Sequence, residues 1–311
     1  MVKKLKLYNN FNVAEKYKNS ILLVGNFDGF HLGHQKLFNL AKKYKKKFKL
    51  KIGVITFEPM PKVYFNKNLK NFRVSNIFQK MENLEKLNVD FLITKKFNKQ
   101  FSKTKSNIFI KEILYKKLKA KYIFVSNNFR YGNKREGNVK QLISNEKKYN
   151  YKIINPRPIV IKNKIVSSTL IRKLLSEGKL ELANKLLGRK WTIKSKVQKG
   201  RQKGKKFGFP TCNLDIGEYI IAKPGVYAVK VYQTDKKYSL KGIANLGYRP
   251  TFNQKKILLE VHIFNFSRNI YNKSLTIKFI NFIRKERKFK NINQLKKQIN
   301  LDLKVAKKIL R

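Results

Sequence analysis

The sequence predicts two domains of different class: an α/β domain with a parallel sheet, then a small antiparallel β barrel or sandwich. Three observations carry that expectation. At 311 residues the chain has room for two domains of ordinary size. Its first half alternates short β-branched runs with longer amphipathic basic stretches, the pattern of a parallel sheet covered by helices. After Gly188 the chain offers short β-rich runs divided by Gly, Pro and Asn turns, as small antiparallel folds do. The domains are therefore expected at 1–187 and 188–311.

Taken in order, Ile21 to Phe27 reads as a strand, His34 to Lys47 as a helix and Lys51 to Phe57 as a second strand. A helix around Ile77 to Leu87, a strand near Phe91 to Thr94, a helix around Asn107 to Leu118 and a strand at Tyr122 to Val125 follow from the apolar spacing. Such a sheet holds its ligand at the carboxyl ends of the strands. Ser168 or Thr169 opens a helix through Leu175, and a second helix, Leu180 to Leu187, stops at Gly188. The β-rich runs beyond are Tyr227 to Tyr232, Leu240 to Asn245, Leu258 to Phe266 and Leu275 to Ile283. Ile292 to Leu310 closes the chain as a basic amphipathic helix expected to pack on the barrel.

Composition excludes several classes. The 42% hydrophobic and 13% aromatic content supplies cores, so the charge of +57, from 74 Lys+Arg against 17 Asp+Glu, does not mark a disordered chain. No apolar stretch approaches the ~18 residues of a membrane span, and the opening MVKKLKLYNNFNVAEKY lacks the apolar core of a signal peptide. A cytoplasmic protein without a membrane partner is expected. One cysteine, Cys212, rules out an intramolecular disulfide, and one thiol with three scattered histidines makes a poor zinc site. The positive charge is mostly Lys, runs from end to end and comes with abundant Asn and Ile. Drift toward A/T-rich codons gives that trio, so solvated faces are expected, with salt-sensitive RNA binding but no specific nucleic-acid partner.

The segment VGNFDGFHLGH, Val24 to His34, follows a strand and enters a helix. Gly25, Gly29 and Gly33 allow a tight turn and a close approach to ligand, and the helix start favours phosphate oxygens. His31 and His34, three apart, can both face a phosphate chain and stabilise the charge that develops as pyrophosphate departs. VSSTLIRKLL, Val166 to Leu175, sets Ser167, Ser168 and Thr169 at a helix start with Arg172 one turn in, a second anion clamp. These motifs resemble HxGH and SSTxxR of the nucleotidyltransferase superfamily. With ITFEPMP, FVSNNFRYG and VSSTLIRKLLSEGKLELANKLLGR, the region resembles the FMN adenylyltransferase half of bacterial bifunctional riboflavin kinase/FAD synthetase. The resemblance implies a Rossmann-like domain in which the FMN phosphate attacks the α-phosphorus of ATP. By that resemblance Gly25, Phe27, Asp28, Gly29, His31, Gly33 and His34 would line the ATP phosphates, with Ser168, Thr169 and Arg172 closing over them. Asn128, Phe129 and Arg130 would lie on the flavin side. Met60 stands where the family commonly has His, and Asn128 where it often has Asp.

KGRQKGKKFGFPTCNL, Lys199 to Leu214, sets Gly200, Gly204 and Gly208 among basic residues, then Pro210, Thr211 and Asn213. Spaced glycines beside Lys and Arg suit a loop around a polyphosphate, although this is no P-loop. In LLEVHIFNF, Glu260 sits in an apolar strand of an acid-poor chain, with His262 on the same face. A kinase acting on an alcohol needs such a carboxylate near the hydroxyl, plus Mg²⁺ on the phosphates. GFPTCNL resembles the GFPTAN motif of the riboflavin kinase module, a six-stranded β-barrel in its family, with Cys212 replacing Ala. The resemblance implies that Thr211 and Asn213 help hold Mg²⁺ and ATP, that Glu260 activates the ribityl hydroxyl, and that Arg284 lies by the flavin. Asn272 replaces the Gly of the usual YG and is expected to alter only a turn; Cys212 is expected to be packed. The implied enzyme makes FMN from riboflavin and ATP, then FAD and pyrophosphate from FMN and ATP. Two alternatives stand beside it: a kinase with an adenylyltransferase site weakened at Met60 and Asn128, and a basic RNA-binding protein on this scaffold.

Overall fold

Strand β1 (Lys6–Tyr8), β2 (Ile21–Val24), β3 (Ile52–Glu58), β4 (Phe91–Lys96) and β5 (Tyr122–Phe124) belong to one sheet. Two short strands, β6 (Arg130–Tyr131) and β7 (Gly137–Asn138), form a hairpin before the sheet resumes at β8 (Lys152–Ile154). The sheet order is β1-β4-β3-β2-β5-β8, and every neighbouring pair is parallel. A computed structural model describes residues 4–199, 208–233, 238–250 and 255–311. The chain divides into two units, Met1–Lys70 with Ile77–Ser167, and Asn71–Asn76 with Ser168–Arg311.

Alternation along the buried strands supplies a core on each face of the sheet. Leu22 and Val24 join Ile55, Phe91, Ile93 and Ile123 on one side, while Ile21 and Leu23 join Val54, Leu92 and Phe124 on the other. The second face is covered by α1 (Leu32–Phe48), through Leu37, Phe38 and Ala41. α2 (Pro61–Phe65) and α3 (Ile77–Lys86) follow β3. The predicted helix Asn107 to Leu118 is a short α-turn, Ser106–Ile108, running into a π-helix, Phe109–Lys117, with Leu118 N–H bonded to Ile113 O at 3.0 Å. This wider winding buries Phe109, Ile110, Ile113 and Leu114 together. A hairpin of β9 (Val160–Ile161) and β10 (Lys164–Ile165) ends the unit.

The order in which strands are added reverses at β2: β3 and β4 lie to one side, β5 and β8 to the other. The crevice beyond the carboxyl ends at such a reversal is where this architecture binds ligands. The loops after β2, β3 and β5 emerge there, carrying Gly25 to His31, Pro59 to Met60 and Ser126 to Phe129.

In the second unit, β11 (Thr192–Gln198), β12 (Cys212–Asp215), β13 (Gly225–Gln233), β14 (Leu240–Pro250), β15 (Lys255–Ile263) and β16 (Ser274–Lys285) close a barrel in the order β11-β12-β15-β14-β13-β16. All six contacts are antiparallel, so the sequence's barrel alternative holds over the sandwich. Its core includes Trp191, Val229, Val231, Leu246, Leu259, Ile277 and Phe279, all fully buried. Two helices, Ser168–Ser176 and Leu180–Leu187, pack together, and the second packs on β16. Asn184 accepts from Trp191 N–H at 2.6 Å, and Trp191 Nε1 donates to Val74 O at 2.9 Å. These bonds draw helix Leu180–Leu187 and residues 71–76 to the barrel, and the compact unit that holds it takes in Ser168–Arg311 with Asn71–Asn76. The last helix, Ile292–Ile309, is capped by Asn291 and covers Val226, Ala228 and Ile243 through Ala306 and Leu310.

Candidate active sites

At the end of β2 the predicted strand stops at Val24 because the next residues turn sharply. Phe27, Gly29 and Phe30 take positive φ, 48°, 75° and 48°; only Gly29 does so without a side-chain penalty. The turn lifts His31 to the N-cap of α1, where it accepts from His34 N–H through Nδ1 at 3.4 Å. The helix thus starts at Leu32, two residues before the expected His34. With Nδ1 accepting that bond, the remaining ring nitrogen, Nε2, is the one that carries a proton. The two rings stack at 3.7 Å with 23° between planes. Gly33 permits this: a Cβ there would lie 3.1 Å from the His31 ring.

Burial, then His31 and Lys80, hold His34 well below the usual imidazole range, so it is neutral at pH 7. Its Nδ1 and the Oδ1 of Asn26 are buried with no hydrogen-bond partner among the described residues. Buried polar atoms seldom stay unpaired, and here they mark where a ligand's polar atoms would sit. Asp28 is buried in the same turn. Gly25 N–H is tied to Ile55 O at 3.0 Å, and its Cα faces the Phe27 ring.

Beyond β5, Asn128 accepts from Ser126 Oγ at 3.0 Å. Phe129 stacks on Tyr131 at 5.6 Å, and both line a cavity of about 110 Å³ with Arg130, Phe57, Phe65, Phe97 and Phe101. Met60 is buried and offers the site no polar atom; its backbone O starts α2.

Ser168, Thr169 and Arg172 belong to the second unit. Ser168 and Thr169 open helix Ser168–Ser176, and the Arg172 Nε donates to Phe72 O at 2.7 Å while its guanidinium stacks over the Phe72 ring at 3.7 Å.

Register builds the barrel site. Asn213 pairs with Glu260 across β12 and β15, and Glu260 with Asn245 across β15 and β14. Directly paired residues share a face, so an amide, a carboxylate and an amide form a row over three strands. Leu259 and Val261 on either side of Glu260 are buried in the core, as alternation requires. Asn213 is buried and its Oδ1 has no partner among the described residues. His262, on the Glu260 face, bonds Pro210 O through Nδ1 at 2.8 Å. Pro210 and Thr211 line a cavity of about 440 Å³ with Cys212, Ile263 and the turn Phe266 to Tyr271, within the size range of ligand pockets. Gly208 has φ 88° with open space at its Cα, while Gly200 and Gly204 lie outside the described residues.

Cys212 is packed as expected, and burial pushes its thiol up to about 12. Asn272 takes φ 62° in its turn, the conformation a Gly would supply. Arg284, expected beside the flavin, is bound to the C-terminal helix: Nε reaches both carboxylate oxygens of Asp302 at 2.9 and 3.0 Å, and Nη2 reaches Oδ2 at 2.7 Å.

Sequence reasoning missed Glu286. Its carboxyl abuts Gly247 and bonds Asn245; burial, then Glu260, raise its pKa, against Asn245 and Arg284. Its rarity as an acid in this chain was the available signal. Lys80, Asn26 and Asn245 carried none, since each needed a neighbour brought from elsewhere in the chain.

Comparison with known proteins matches each half of the chain to its own family model. Residues 13–170 match the family model described as FAD synthetase, and residues 187–310 the one described as riboflavin kinase. The chain is 40% identical to the bifunctional riboflavin kinase/FMN adenylyltransferase of Buchnera aphidicola subsp. Schizaphis graminum, covering 96% of each chain. It is 36% identical to the protein of that name from Haemophilus influenzae, over 92% of each, and 32% identical to that of Escherichia coli K12, over 91% of this chain and 90% of that one. A crystal structure described as a macrolide-efflux protein from Streptococcus pneumoniae superposes with a TM-score of 0.87 at 27% identity, over 98% of this chain and 99% of that one. No helix among the described residues is long and apolar enough to cross a membrane. With a parallel-sheet unit and a closed barrel each matched to its own activity, the chain belongs to the bifunctional riboflavin kinase/FMN adenylyltransferase family, using ATP to convert riboflavin to FMN and FMN to FAD.

Proposed function

We propose that residues 1–187 carry adenylyl transfer at the His31/His34 turn and that residues 188–311 carry riboflavin phosphorylation at Glu260. The observation that supports the first assignment best is the stacked histidine pair at the mouth of β2, beside buried polar atoms that have no partner among the described residues. The FMN phosphate oxygen attacks the α-phosphorus of ATP in line. As the bond to the bridging oxygen breaks, negative charge moves onto pyrophosphate. His31 and His34 donate N–H hydrogen bonds to that charge. The amides of Gly25 to Gly33 complete the cradle, with Phe27 and Asp28 in the same turn.

The FMN ring is assigned to the aromatic cavity at Phe129 and Arg130, with Asn128 at its rim. At about 110 Å³ that cavity is smaller than most ligand pockets, and the exposed Phe65 is the wall residue that can move aside for the ring.

In the barrel, Glu260 accepts the proton of the terminal ribityl hydroxyl as its oxygen attacks the γ-phosphorus and ADP leaves. Asn213 and Asn245 on either side hold that carboxylate in place. ATP is assigned to the cavity at Pro210 and Thr211, with Gly200, Gly204 and Gly208 in its phosphate loop. Mg²⁺ fits here: Thr211 and the unpaired Oδ1 of Asn213 are hard oxygen donors, the type Mg²⁺ selects. Held by them, it would draw charge from the phosphates. The enzyme is assigned to the cytoplasm, where ATP is supplied.

The test separates the two steps. Purified protein receives riboflavin or FMN with ATP and Mg²⁺, and FMN, FAD and pyrophosphate are followed by chromatography. Replacing His31 and His34 with Ala should stop FAD synthesis while FMN accumulates. Glu260→Gln should cut FMN formation by roughly 10²–10⁴, the usual contribution of a general base, while added FMN still becomes FAD. Loss of both activities in either folded variant would refute the assignment.

A further inference from the structure

The chemistry above leaves unexplained a buried lysine on the helix that packs against the histidine-bearing turn. Lys80 lies on α3, which packs against the turn Asp28–Phe30, and only 1% of its side chain is exposed. Lysines of a basic protein ordinarily keep their ammonium groups in water. Burying one is costly unless it is paired, and an apolar residue of equal volume fills such a space at lower cost. The charge itself therefore calls for an explanation. Nζ of Lys80 donates to Thr56 Oγ1 at 3.1 Å and to Glu58 Oε1 at 3.2 Å. Both acceptors lie at the carboxyl end of β3, the ligand end of the sheet.

We propose that Lys80 is a positioning residue for adenylyl transfer: a fixed, buried cation behind the His31/His34 pair that sets the charge of the cleft where those rings meet the triphosphate. This rests on assigning adenylyl transfer to that turn. The groups facing His34 are His31 from its own turn and Lys80 from α3; Asp28 lies buried on the same turn and Glu58 at the end of β3. Burial first, then His31 and Lys80, disfavour a proton on His34. With burial and His31, Lys80 helps keep His34 a neutral, single-proton donor, while its own charge stands at the ligand end of the sheet. Thr56 and Glu58 fix where that charge stands.

The experiment uses the full chain. The protein has three histidines, so ring-proton NMR titrations can be assigned with single His→Gln variants. Lys80→Met, Lys80→Arg and Glu58→Gln are compared with the unmodified protein, and riboflavin phosphorylation in the same samples reports the fold. Lys80→Met should raise the His34 midpoint, because a repelling charge is gone, and lower kcat/KM for ATP in FAD synthesis by tenfold or more. Lys80→Arg should keep the midpoint low and recover most of the rate. Glu58→Gln should lower the midpoint further, because a carboxylate that offsets the Lys80 charge is gone. A midpoint that stays in place in both Lys80→Met and Glu58→Gln overturns the proposal, as does a Lys80→Met rate within twofold of the unmodified enzyme. If Lys80→Met loses phosphorylation as well, the Lys80→Arg and Glu58→Gln titrations decide. FAD synthesis that survives loss of both histidines would defeat the site assignment instead.

Discussion

The bond between Arg284 and Asp302 gives a stability prediction with a built-in reporter. Asp302 is 4% exposed and Arg284 15%, and three charge-assisted contacts join them between β16 and the last helix. Asp302→Ala removes all three and leaves a largely buried guanidinium with its bond to Lys285 O. Removing one partner of a buried pair costs about 3–5 kcal/mol. The remaining bond and the exposed edge of Arg284 set the expectation at the lower end, about 3 kcal/mol. With a urea dependence of about 2 kcal/mol per molar for a domain of this size, the unfolding midpoint should fall by about 1.5 M. Trp191 is the single tryptophan and is fully buried in the second unit, so its fluorescence follows that unit alone. A second variant, Arg284→Met with Asp302→Leu, removes both charges and should regain most of the loss, since well-packed apolar pairs replace buried ion pairs at little cost. A midpoint drop under about 0.3 M, ~0.6 kcal/mol at the same urea dependence, would refute the reasoning. So would a double variant no more stable than Asp302→Ala.

Three further outcomes are expected. Gly33→Ala should lower FAD synthesis tenfold or more with riboflavin phosphorylation unchanged, because the new methyl lies 3.1 Å from the His31 ring; equal loss of both activities would point to misfolding instead. Phe129→Ala should raise the KM for FMN in FAD synthesis and leave the KM for riboflavin as it was, since Phe129 walls only the aromatic cavity of the first unit. Cys212 should resist alkylation at pH 8 in the native protein and react at the rate of a free thiol in urea, because burial pushes its pKa up to about 12; fast native labelling would show that the strand opens.

How much of this was legible in the sequence differs between the two sites. At the first, the glycines and histidines of Val24 to His34 follow one another along the chain, so their spacing alone singled out a tight turn that enters a helix. The turn's detail was hidden: His31 caps the helix, and three residues take positive φ, two of them phenylalanines. Propensity argues against that conformation for Phe, and it is imposed by burial of Phe27 and Phe30 against Phe38. At the second site Glu260 was visible as a rare acid in an apolar strand, whereas its flanking amides come from β12 and β14, 47 and 15 residues away in sequence by the register pairs.

The sequence by itself determined the alternation of strand and helix, the parallel sheet, the change to short antiparallel strands after Gly188 and the residue types of both sites, because these depend on local periodicity and short motifs. Only the tertiary structure decided that the barrel closes, that Lys80 is buried against Thr56 and Glu58, that Glu286 approaches Asn245, and that Arg284 serves Asp302. Each of these depends on strand register and on packing between residues far apart in the chain. A charge's partner is set by which surfaces are buried together, and no window of sequence contains both sides of that contact.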